Sequence, residues 1–317
     1  MENEMYQVAK TFGVKAPKEF LVEGFPDNGN PRVPSLDDGF VFRSDVLRNI
    51  LAFLSAPRGD GLFLAGPTGA GKSSVITQVA ARLRWPVEEI TLHGRIELAD
   101  LVGHHTLVKG EMVFVHGPLA RAMKEGAILL LNEIDLADPA ELAGLNGVLD
   151  GNPLVIPQND GEVIRPHPKF RVVATGNSAG GGDQSGLYQG VVRQNLAFMD
   201  RFRLMAVEYP TPEVEASILA AKAPGLPEAI RESMIRVANE VRRVFIGSGD
   251  GRGELSVTMS TRTLVRWAYL TLDFRGAPAP LKYALEQALL HRASTEEAEA
   301  IDRIAAAVFG DDWKGAS

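Results

Sequence analysis

Short apolar runs alternate with helical patterns through the first two thirds of the chain. Apolar residues are continuous enough for buried strands at 62–65, 87–92, 128–131, 171–175 and 204–208. Between these runs, apolar residues recur at helical spacing and predict helices at 73–84, 118–125 and 139–149. Strands that alternate with helices are typical of a parallel sheet with helices on both faces. The sequence therefore predicts an α/β domain built on such a sheet.

The pattern changes at Tyr209-Pro210, after which only helical signals remain. One apolar stripe at helical spacing consists of Ile230, Met234, Val237, Val241 and Val244. Ser294 and Glu297 have the spacing of a capping box, which predicts the start of a further helix. We therefore predict an α/β domain over residues 41–210, followed by a smaller all-α domain over residues 211–317.

The N-terminal residues differ from both of these parts. Residues 1–40 are rich in Pro, Gly and Asp and lack sustained periodicity, so we predict an extended arm with one short helix near Val8. The apolar spacing from Phe42 to Leu54 predicts a helix that begins near Ser44. The chain starts on acidic residues without the apolar segment of a secretion signal, and no apolar run approaches the roughly 18 residues that span a bilayer. We expect a cytoplasmic protein without a membrane partner.

Charge and composition narrow the chemistry. The 317 residues include 33 Lys and Arg against 40 Asp and Glu, which gives a net charge of −7. An acidic balance disfavours non-specific binding to nucleic acid, and Arg242-Arg243 share a predicted helix with glutamates, which favours a solvated charged face. The chain has no cysteine, which excludes disulfides, thiolate metal sites and cysteine nucleophiles.

One glycine-rich motif lies within the predicted α/β domain. Gly66 to Ser73 matches G-x-x-x-x-G-K-[ST], and it lies between a short apolar strand and a helical pattern. Glycines let backbone N–H groups turn inward around a phosphate, Lys72 reaches the β- and γ-phosphates, and the Ser73 hydroxyl ligates Mg²⁺. The residues predicted to bind nucleotide here are Gly66, Pro67, Thr68, Gly69, Ala70, Gly71, Lys72, Ser73 and Ser74. The alternative is a glycine loop that matches by chance.

Two polar residues follow the apolar run at 128–131. Glu133 is placed where a carboxylate polarises an attacking water, which makes it the candidate catalytic base. Asn132 occupies the position that normally holds a Mg²⁺-supporting aspartate, and its amide oxygen accepts hydrogen bonds but brings no negative charge. Ser73 and Asn132 are thus the predicted metal-site residues, with a weaker ion or slower turnover as the consequence. The alternative is that Asn132 and Glu133 merely end a strand.

Three further residues, one of them with an alternative, are candidates for contacting the γ-phosphate or the water that attacks it. Asn177 ends the neighbouring strand and can orient the lytic water, although Gly-Asn is also ordinary turn chemistry. Arg201, with Arg203 as second choice, can stabilise transition-state charge from its own or a neighbouring subunit; the alternative is a surface ion pair with Asp200. Arg262 falls in the first turn of a predicted helix, where the helix dipole disfavours a cation, so it is expected near an anion or as a surface arginine.

These motifs, in this order, resemble the MoxR branch of the AAA+ ATPases. The stretches 100–103 and 110–119 resemble the β-hairpin that this branch inserts in its second helix, and 155–164 resembles its second hairpin. A narrower resemblance is to the cobaltochelatase ATPase subunit and to the ATPases that activate Rubisco and nitric oxide reductase. It is carried by Phe40 to Arg43, Gln78 to Leu83, Trp85-Pro86, Val163 to Pro168 and the loop from Gly181 to Gly190, including Gly186-Leu187-Tyr188.

The resemblance implies a P-loop parallel sheet with inserted hairpins and a smaller all-α lid domain. It implies ATP and Mg²⁺ at Lys72 and Ser73, Glu133 as the catalytic base and Asn177 as sensor 1. Arg201 would be the finger that acts on the neighbouring subunit's ATP, and Arg262 would be sensor 2. By the same resemblance we expect a homo-oligomer, most simply a hexameric ring, with a von Willebrand A domain partner and a protein client that it remodels or activates, of the metal-chelatase type.

Competing functions predict other features. A P-loop kinase for a small molecule has a short lid and does not need Arg201 in trans. A nucleic-acid motor needs a basic pore face, and a nucleotide-binding scaffold with low turnover would follow from Asn132.

His104-His105 suggest a metal site at first. Adjacent residues of a strand point to opposite faces, however, so we expect the two histidines to be exposed on the inserted hairpin.

Overall fold

The computed structural model describes residues 4–182, 190–246 and 255–314. Its contacts divide the chain into two compact units. The first consists of residues up to Asp37, Ser44–Gly66 and Lys72–Val207, and the second of Asp38–Arg43, Pro67–Gly71 and the chain from Glu208 onward. Gly186-Leu187-Tyr188 of the predicted loop lie outside the described residues.

The elements of the first unit follow the chain in this order: β1 Glu4–Gln7, α1 Val8–Phe12, β2 Leu21–Gly24, α2 Ser44–Ser55, β3 Gly61–Ala65, α3 Lys72–Arg82, β4 Val87–Thr91, α4 Leu98–Val102, β5 Gly103–Val108, β6 Glu111–His116, α5 Pro118–Glu125, β7 Ile128–Asn132, α6 Pro139–Ala143, α7 Asn146–Leu149, β8 Leu154–Ile156, β9 Glu162–Ile164, β10 Arg171–Gly176, α8 Leu196–Met199 and β11 Phe202–Ala206. Those of the second unit are α9 Pro212–Lys222, α10 Glu228–Ile246, α11 Thr261–Asp273, α12 Pro280–Ala288 and α13 Thr295–Phe309.

Five strands form one parallel sheet in the order β11-β3-β10-β7-β4. Every residue of β3 and of β7 is buried, which agrees with their continuous apolar sequences. The core between the sheet and its helices includes the fully buried Phe63, Leu131, Met123 and Phe198. The predicted α/β domain with a parallel sheet is confirmed, and it brings the carboxyl ends of β3, β7 and β10 to one edge.

Two details of the predicted sheet domain are wrong. The last strand begins at Phe202 rather than at residue 204, because its register pairs Phe202 with Gly61 and Ala206 with Ala65. The helix predicted at 139–149 is broken into α6 and α7 around Gly144. A Cβ on Gly144 would lie 2.5 Å from Leu98 Cδ2, so the chain turns at a residue without a side chain.

Two β-hairpins interrupt the alternation, as the family resemblance implies. Strands β5 and β6 pair antiparallel between α4 and α5, and β8 pairs with β9 ahead of β10. His104 and His105 are exposed on β5, as expected, and no group of three or more metal-ligating side chains occurs in the described parts of the chain. The facing residues Leu107 and Met112 near the hairpin tip are 67% and 66% exposed.

The N-terminal segment has more structure than the predicted extended arm. The short helix expected near Val8 is present as α1, but β1 and β2 also pair antiparallel on either side of it. This sheet was missed because no tight-turn signal separates its two strands and because each of them is only four residues long. Among the described residues, no helix has both the length and the apolar character needed to cross a membrane.

The second unit has its own core, formed by helices α9 to α13 around the buried Trp267. Ser260 caps α11 and Ser294 with Glu297 forms the predicted capping box of α13. The prediction of a solvated face at Arg242-Arg243 is right for Arg243 but wrong for Arg242. The Arg242 side chain is 5% exposed because it forms a two-point ion pair with the fully buried Glu215, at 2.7 and 2.9 Å.

Candidate nucleotide site

The turn between β3 and α3 has the backbone of a phosphate cradle. Gly66, Gly69 and Gly71 all have positive φ, at 156°, 75° and 90°. A Cβ at Gly66 would lie 2.1 Å from the carbonyl oxygen of Val207, so no other residue fits there without a backbone shift. Because α3 begins at Lys72, its free N–H groups and the positive end of its dipole face this turn. The arrangement suits an anion such as a phosphate.

Lys72 is buried at the start of α3. Its Nζ donates to the carbonyl oxygen of Gly66 at 2.7 Å and to Asn177 Oδ1 at 3.2 Å. The ammonium is thus held between the first glycine of the turn and the end of β10. A positive charge in this position can meet the terminal phosphates of a bound nucleotide.

Asn177 also contacts Glu133, which follows β7. Asn177 Nδ2 donates to Glu133 Oε2 at 2.7 Å, so Lys72, Asn177 and Glu133 form one hydrogen-bonded chain across the edge of the sheet. Glu133 has φ 55° and ψ 44°, in the left-handed region that non-glycine residues rarely adopt. Such backbone conformations concentrate at functional sites.

Asp135 is a site residue that the sequence reasoning missed. It is fully buried, and its Oδ2 accepts from the backbone N–H groups of Asn177 and Ser178 at 2.7 and 3.0 Å. The other oxygen, Oδ1, has no hydrogen-bond partner in the described structure. Asp135 therefore fixes the turn that presents Asn177. The signal available in the sequence was an acidic residue between two apolar ones, Ile134 and Leu136.

Asn132 lies at the centre of a second polar cluster. Its Oδ1 accepts from Ser73 Oγ at 2.5 Å and from Thr175 Oγ1 at 3.0 Å, while its Nδ2 donates to Glu89 Oε1 at 2.7 Å. Mg²⁺ prefers oxygen ligands and keeps several of its waters. Two hydroxyl oxygens and the amide oxygen meet here at the start of α3, and a carboxylate bonds to the other end of the amide, so these residues fit a Mg²⁺ ion.

Other predicted binding residues belong to the second unit or lie exposed. Within that unit, the Tyr209 hydroxyl donates to the carbonyl oxygen of Thr68 at 3.1 Å, and a Cβ built on Gly69 would lie 2.5 Å from Ser260 Cβ and 3.7 Å from Arg262 Cβ. Arg262 is exposed at the start of α11. Ser74 is exposed in the first turn of α3.

The structure brings Arg201 to Asp150 rather than to Asp200. Arg201 Nε and Nη2 each donate to one oxygen of Asp150 at 2.8 Å, and this hydrogen bonding lowers the pKa of the Asp150 carboxyl. The expected alternative of an ion pair with Asp200 is therefore wrong about the partner. Arg203, the second finger candidate, pairs with Asp60 at 2.7 Å and donates to the carbonyl oxygen of Ala56.

Fold and site together define a class. The sheet is parallel, a glycine turn follows β3, a lysine begins α3, and polar residues lie at the carboxyl ends of β10 and β7, the next two strands of the sheet. These features define a P-loop nucleoside triphosphatase domain, here of the AAA+ type with inserted hairpins.

Known proteins narrow this class. The family model described as AAA domain (dynein-related subfamily) matches residues 61–215, and the one described as CbbQ/NirQ/NorQ C-terminal matches residues 215–308. The aerobic cobaltochelatase subunit CobS of Sinorhizobium sp is 35% identical over 249 residues, which cover 76% of this chain and 73% of CobS. Protein NorQ of Paracoccus denitrificans (strain Pd 1222) is 32% identical over 253 residues, which cover 78% of this chain and 86% of NorQ. The chain therefore belongs to the MoxR branch of the AAA+ ATPases.

Proposed function

We propose that this chain is a Mg²⁺-dependent ATPase that uses ATP binding and hydrolysis to remodel or activate a protein client. The observation that carries the proposal is the hydrogen-bonded chain from Lys72 through Asn177 to Glu133. It links a cation for the terminal phosphates to a carboxylate that can orient and polarise water. Asn177 lies between them, so it can respond to the presence of a γ-phosphate.

Each of these residues has a role in the proposed hydrolysis. The cradle from Gly66 to Gly71 and the ammonium of Lys72 hold the phosphates, and Glu133 accepts a proton from the attacking water. Ser73 and Asn132 would hold the Mg²⁺ ion. When bound, such an ion neutralises charge that develops on the phosphate oxygens. Arg262 would contact the nucleotide as sensor 2.

Assembly completes the proposed site. We assign Arg201 to the nucleotide of a neighbouring copy of the chain, in a ring that is most simply a hexamer. Its two bonds to Asp150 support this role, because a guanidinium fixed by its own subunit is presented with little loss of side-chain entropy. Heterologous contacts between identical subunits close into a ring when the rotation from one subunit to the next divides a full turn.

The partners are proposed from the relatives. Because CobS is named as a subunit of an aerobic cobaltochelatase, we propose a client complex of the metal-chelatase type. A von Willebrand A domain protein as the adaptor is proposed from the resemblance to the MoxR branch. A cytoplasmic location is part of the proposal. Co-purification from native cells would identify the client.

Phosphate release from ATP tests the catalytic proposal. The wild-type chain and the variants Lys72→Ala, Glu133→Gln and Glu111→Gln are compared at saturating Mg²⁺. We expect Lys72→Ala to abolish nucleotide binding, and Glu133→Gln to keep binding while losing at least about 100-fold in turnover, as general-base losses do. Glu111→Gln is the matched control, because it makes the same change at an exposed residue of β6 that is not among the predicted site residues. Equal near-zero turnover in wild type and Glu133→Gln would instead support a nucleotide-binding scaffold.

A further inference from the structure

The amide at position 132 has a carboxylate behind it. Asn132 follows the buried apolar run of β7. Its side chain lies between two hydroxyl groups that donate hydrogen bonds and a carboxylate that accepts one. Ser73 and Thr175 hydroxyls donate to its oxygen, at 2.5 and 3.0 Å, and Glu89 of the neighbouring strand β4 accepts from its nitrogen at 2.7 Å. Strands β4 and β7 pair in parallel, with Glu89 opposite Leu130 and Thr91 opposite Asn132.

This arrangement fixes the orientation of the amide. An ionised carboxylate only accepts hydrogen bonds, so Glu89 must face the NH₂ end of Asn132. The hydroxyls of Ser73 and Thr175 can donate, so they satisfy the oxygen. Asn132 is only 6% exposed, so these protein groups rather than bulk water decide which way its amide oxygen and nitrogen face. The oxygen of Asn132 is therefore directed at the hydroxyls of Ser73 and Thr175.

We propose that Glu89 supplies the negative charge of the metal site that an amide at position 132 lacks, acting through Asn132 as a carboxylate–amide pair. A carboxylate that accepts from an amide N–H polarises the amide, and it makes the oxygen at the other end a stronger acceptor and ligand. Outer carboxylates tune metal-binding histidines in the same way. Glu89 is thus a positioning and charge-supplying residue, and the inference rests on the proposed Mg²⁺–nucleotide function.

The proposal makes the two positions interchangeable as a pair. Glu89→Gln keeps a hydrogen-bond acceptor for Asn132 but removes the charge. Asn132→Asp alone sets two carboxylates against each other at the same contact, which is unfavourable for both. In the double variant Glu89→Gln/Asn132→Asp, the amide of position 89 can donate to the carboxylate of position 132, so one charge is restored on the other side of the same hydrogen bond.

Metal affinity is the readout, measured without turnover. Mn²⁺ replaces Mg²⁺, and free Mn²⁺ is followed by electron paramagnetic resonance in the presence of ADP and each folded variant. We expect Glu89→Gln to weaken Mn²⁺ binding by about tenfold, the lower end of the effect of outer-shell changes. Asn132→Asp is expected to weaken it as well, and the double variant to return to within about threefold of wild type. ADP binding in excess EDTA should be equal in all of them.

Two controls separate the possible failures. Glu111→Gln removes an exposed carboxylate on the hairpin and should leave Mn²⁺ binding unchanged. A wild-type chain that binds no nucleotide, with or without metal, would contradict the proposed function itself. Nucleotide and Mn²⁺ binding in wild type, with Glu89→Gln within twofold of it or the double variant no better than Asn132→Asp, would overturn the role of Glu89 alone.

Discussion

Glu133 combines a catalytic assignment with an uncommon backbone conformation. Its φ of 55° brings Cβ close to the following carbonyl, which costs roughly 1–2 kcal/mol for a residue other than glycine. The turn Ile134–Leu136 follows directly, and the Leu136 N–H donates to the Glu133 carbonyl oxygen at 2.9 Å. The fold therefore holds Glu133 in place at a cost in stability, which is typical of a side chain kept for function.

A stability comparison tests this strain. Glu133→Gly relieves the backbone cost, whereas Glu133→Ala keeps it, so the glycine variant should be more stable to urea than the alanine variant by about 1 kcal/mol. At an ordinary helical position the order is reversed, since glycine costs about 1 kcal/mol relative to alanine. Ala52, which is exposed to solvent in the interior of α2, provides that reference through Ala52→Gly. Equal stability of both Glu133 variants would contradict the strained conformation.

At the same scale, the candidate site was only partly predictable. Lys72 and Ser73 belong to one contiguous motif, so their neighbourhood follows from the sequence alone. Glu89, Asp135 and Asp150 act through residues 43, 42 and 51 positions away along the chain, respectively. Strand register and side-chain direction determine such long-range contacts, and neither can be predicted from a local sequence pattern.

The two inserted hairpins are joined by one acidic side chain. Glu162 of β9 accepts from Lys124 at 2.7 Å, lies 2.6 Å from His116 Nε2 at the end of β6, and accepts from Asn159 at 2.7 Å. Hydrogen bonds from Lys124, then His116, lower the pKa of Glu162 to about 2. The base of the first hairpin and the turn end of the second are thereby tied to α5.

This contact should depend on pH in a defined direction. The pKa of Glu162 is lower in the folded chain than its ordinary value of 4.5, so its stabilising effect is complete above that value and is lost as pH falls towards 2. The stability difference between wild type and Glu162→Gln, measured by urea unfolding, should therefore be larger at pH 6 than at pH 3. Glu111→Gln should show no such trend, and a difference that grows on acidification would contradict the contact.

In the helical unit, α9 and α10 are held by a buried ion pair. Arg242 donates to both oxygens of Glu215 and to the Met259 carbonyl oxygen at 2.7 Å, and Thr261 Oγ1 donates to Glu215 at 2.8 Å. The Arg242 guanidinium also lies 4.4 Å from the centre of the Tyr209 ring. Removing one member of such a pair leaves an unmatched buried charge.

Breaking the pair on one side should be far worse than removing it. Arg242→Met should lower the free energy of unfolding by about 3–5 kcal/mol, whereas Arg242→Met/Glu215→Leu should regain most of that loss. The neighbouring Arg243→Met is the control. The pair that Arg243 forms with Glu240 is exposed, so this change should alter stability by less than about 1 kcal/mol. Urea unfolding measures all three, and a double variant as unstable as the single one would contradict the explanation.

The helices and strands themselves were more predictable than the side-chain contacts between them. Continuous apolar runs and helical stripes predicted the sheet strands and α3, α5 and α10, because burial on both faces or on one stripe leaves a period in the sequence. Arg242 was misjudged for a related reason. Local charge pattern places it beside exposed glutamates, and only the packing of α9 against α10 puts Glu215 within reach.

At the scale of the whole molecule, each active site of the proposed ring would be formed by residues of two chains. Glu133 would come from one subunit and Arg201 from the next. Each chain would then carry half of two sites rather than one complete site. Arg201 already has a fixed orientation through Asp150, so assembly would need no rearrangement of this side chain.

Mixing two inactive variants tests the shared site. Glu133→Gln and Arg201→Ala should each be inactive alone, and an equal mixture should regain ATP hydrolysis, because about a quarter of the subunit contacts then pair an intact Glu133 with an intact Arg201. Phosphate release after subunit exchange is the measurement. A mixture of Glu133→Gln with Lys72→Ala is the control and should stay inactive, since both changes damage the same half. No recovery in the first mixture would argue for action within one chain.

The hydrogen bond between Asn132 and Glu89 has a consequence for how this family diverges. A lineage that acquires an aspartate at position 132 while keeping the glutamate at 89 passes through an unfavourable genotype, so the two substitutions are epistatic. Family members should accordingly fall into two populations, with an acid at one of the positions or at the other, and chains with an acid at both should be rare.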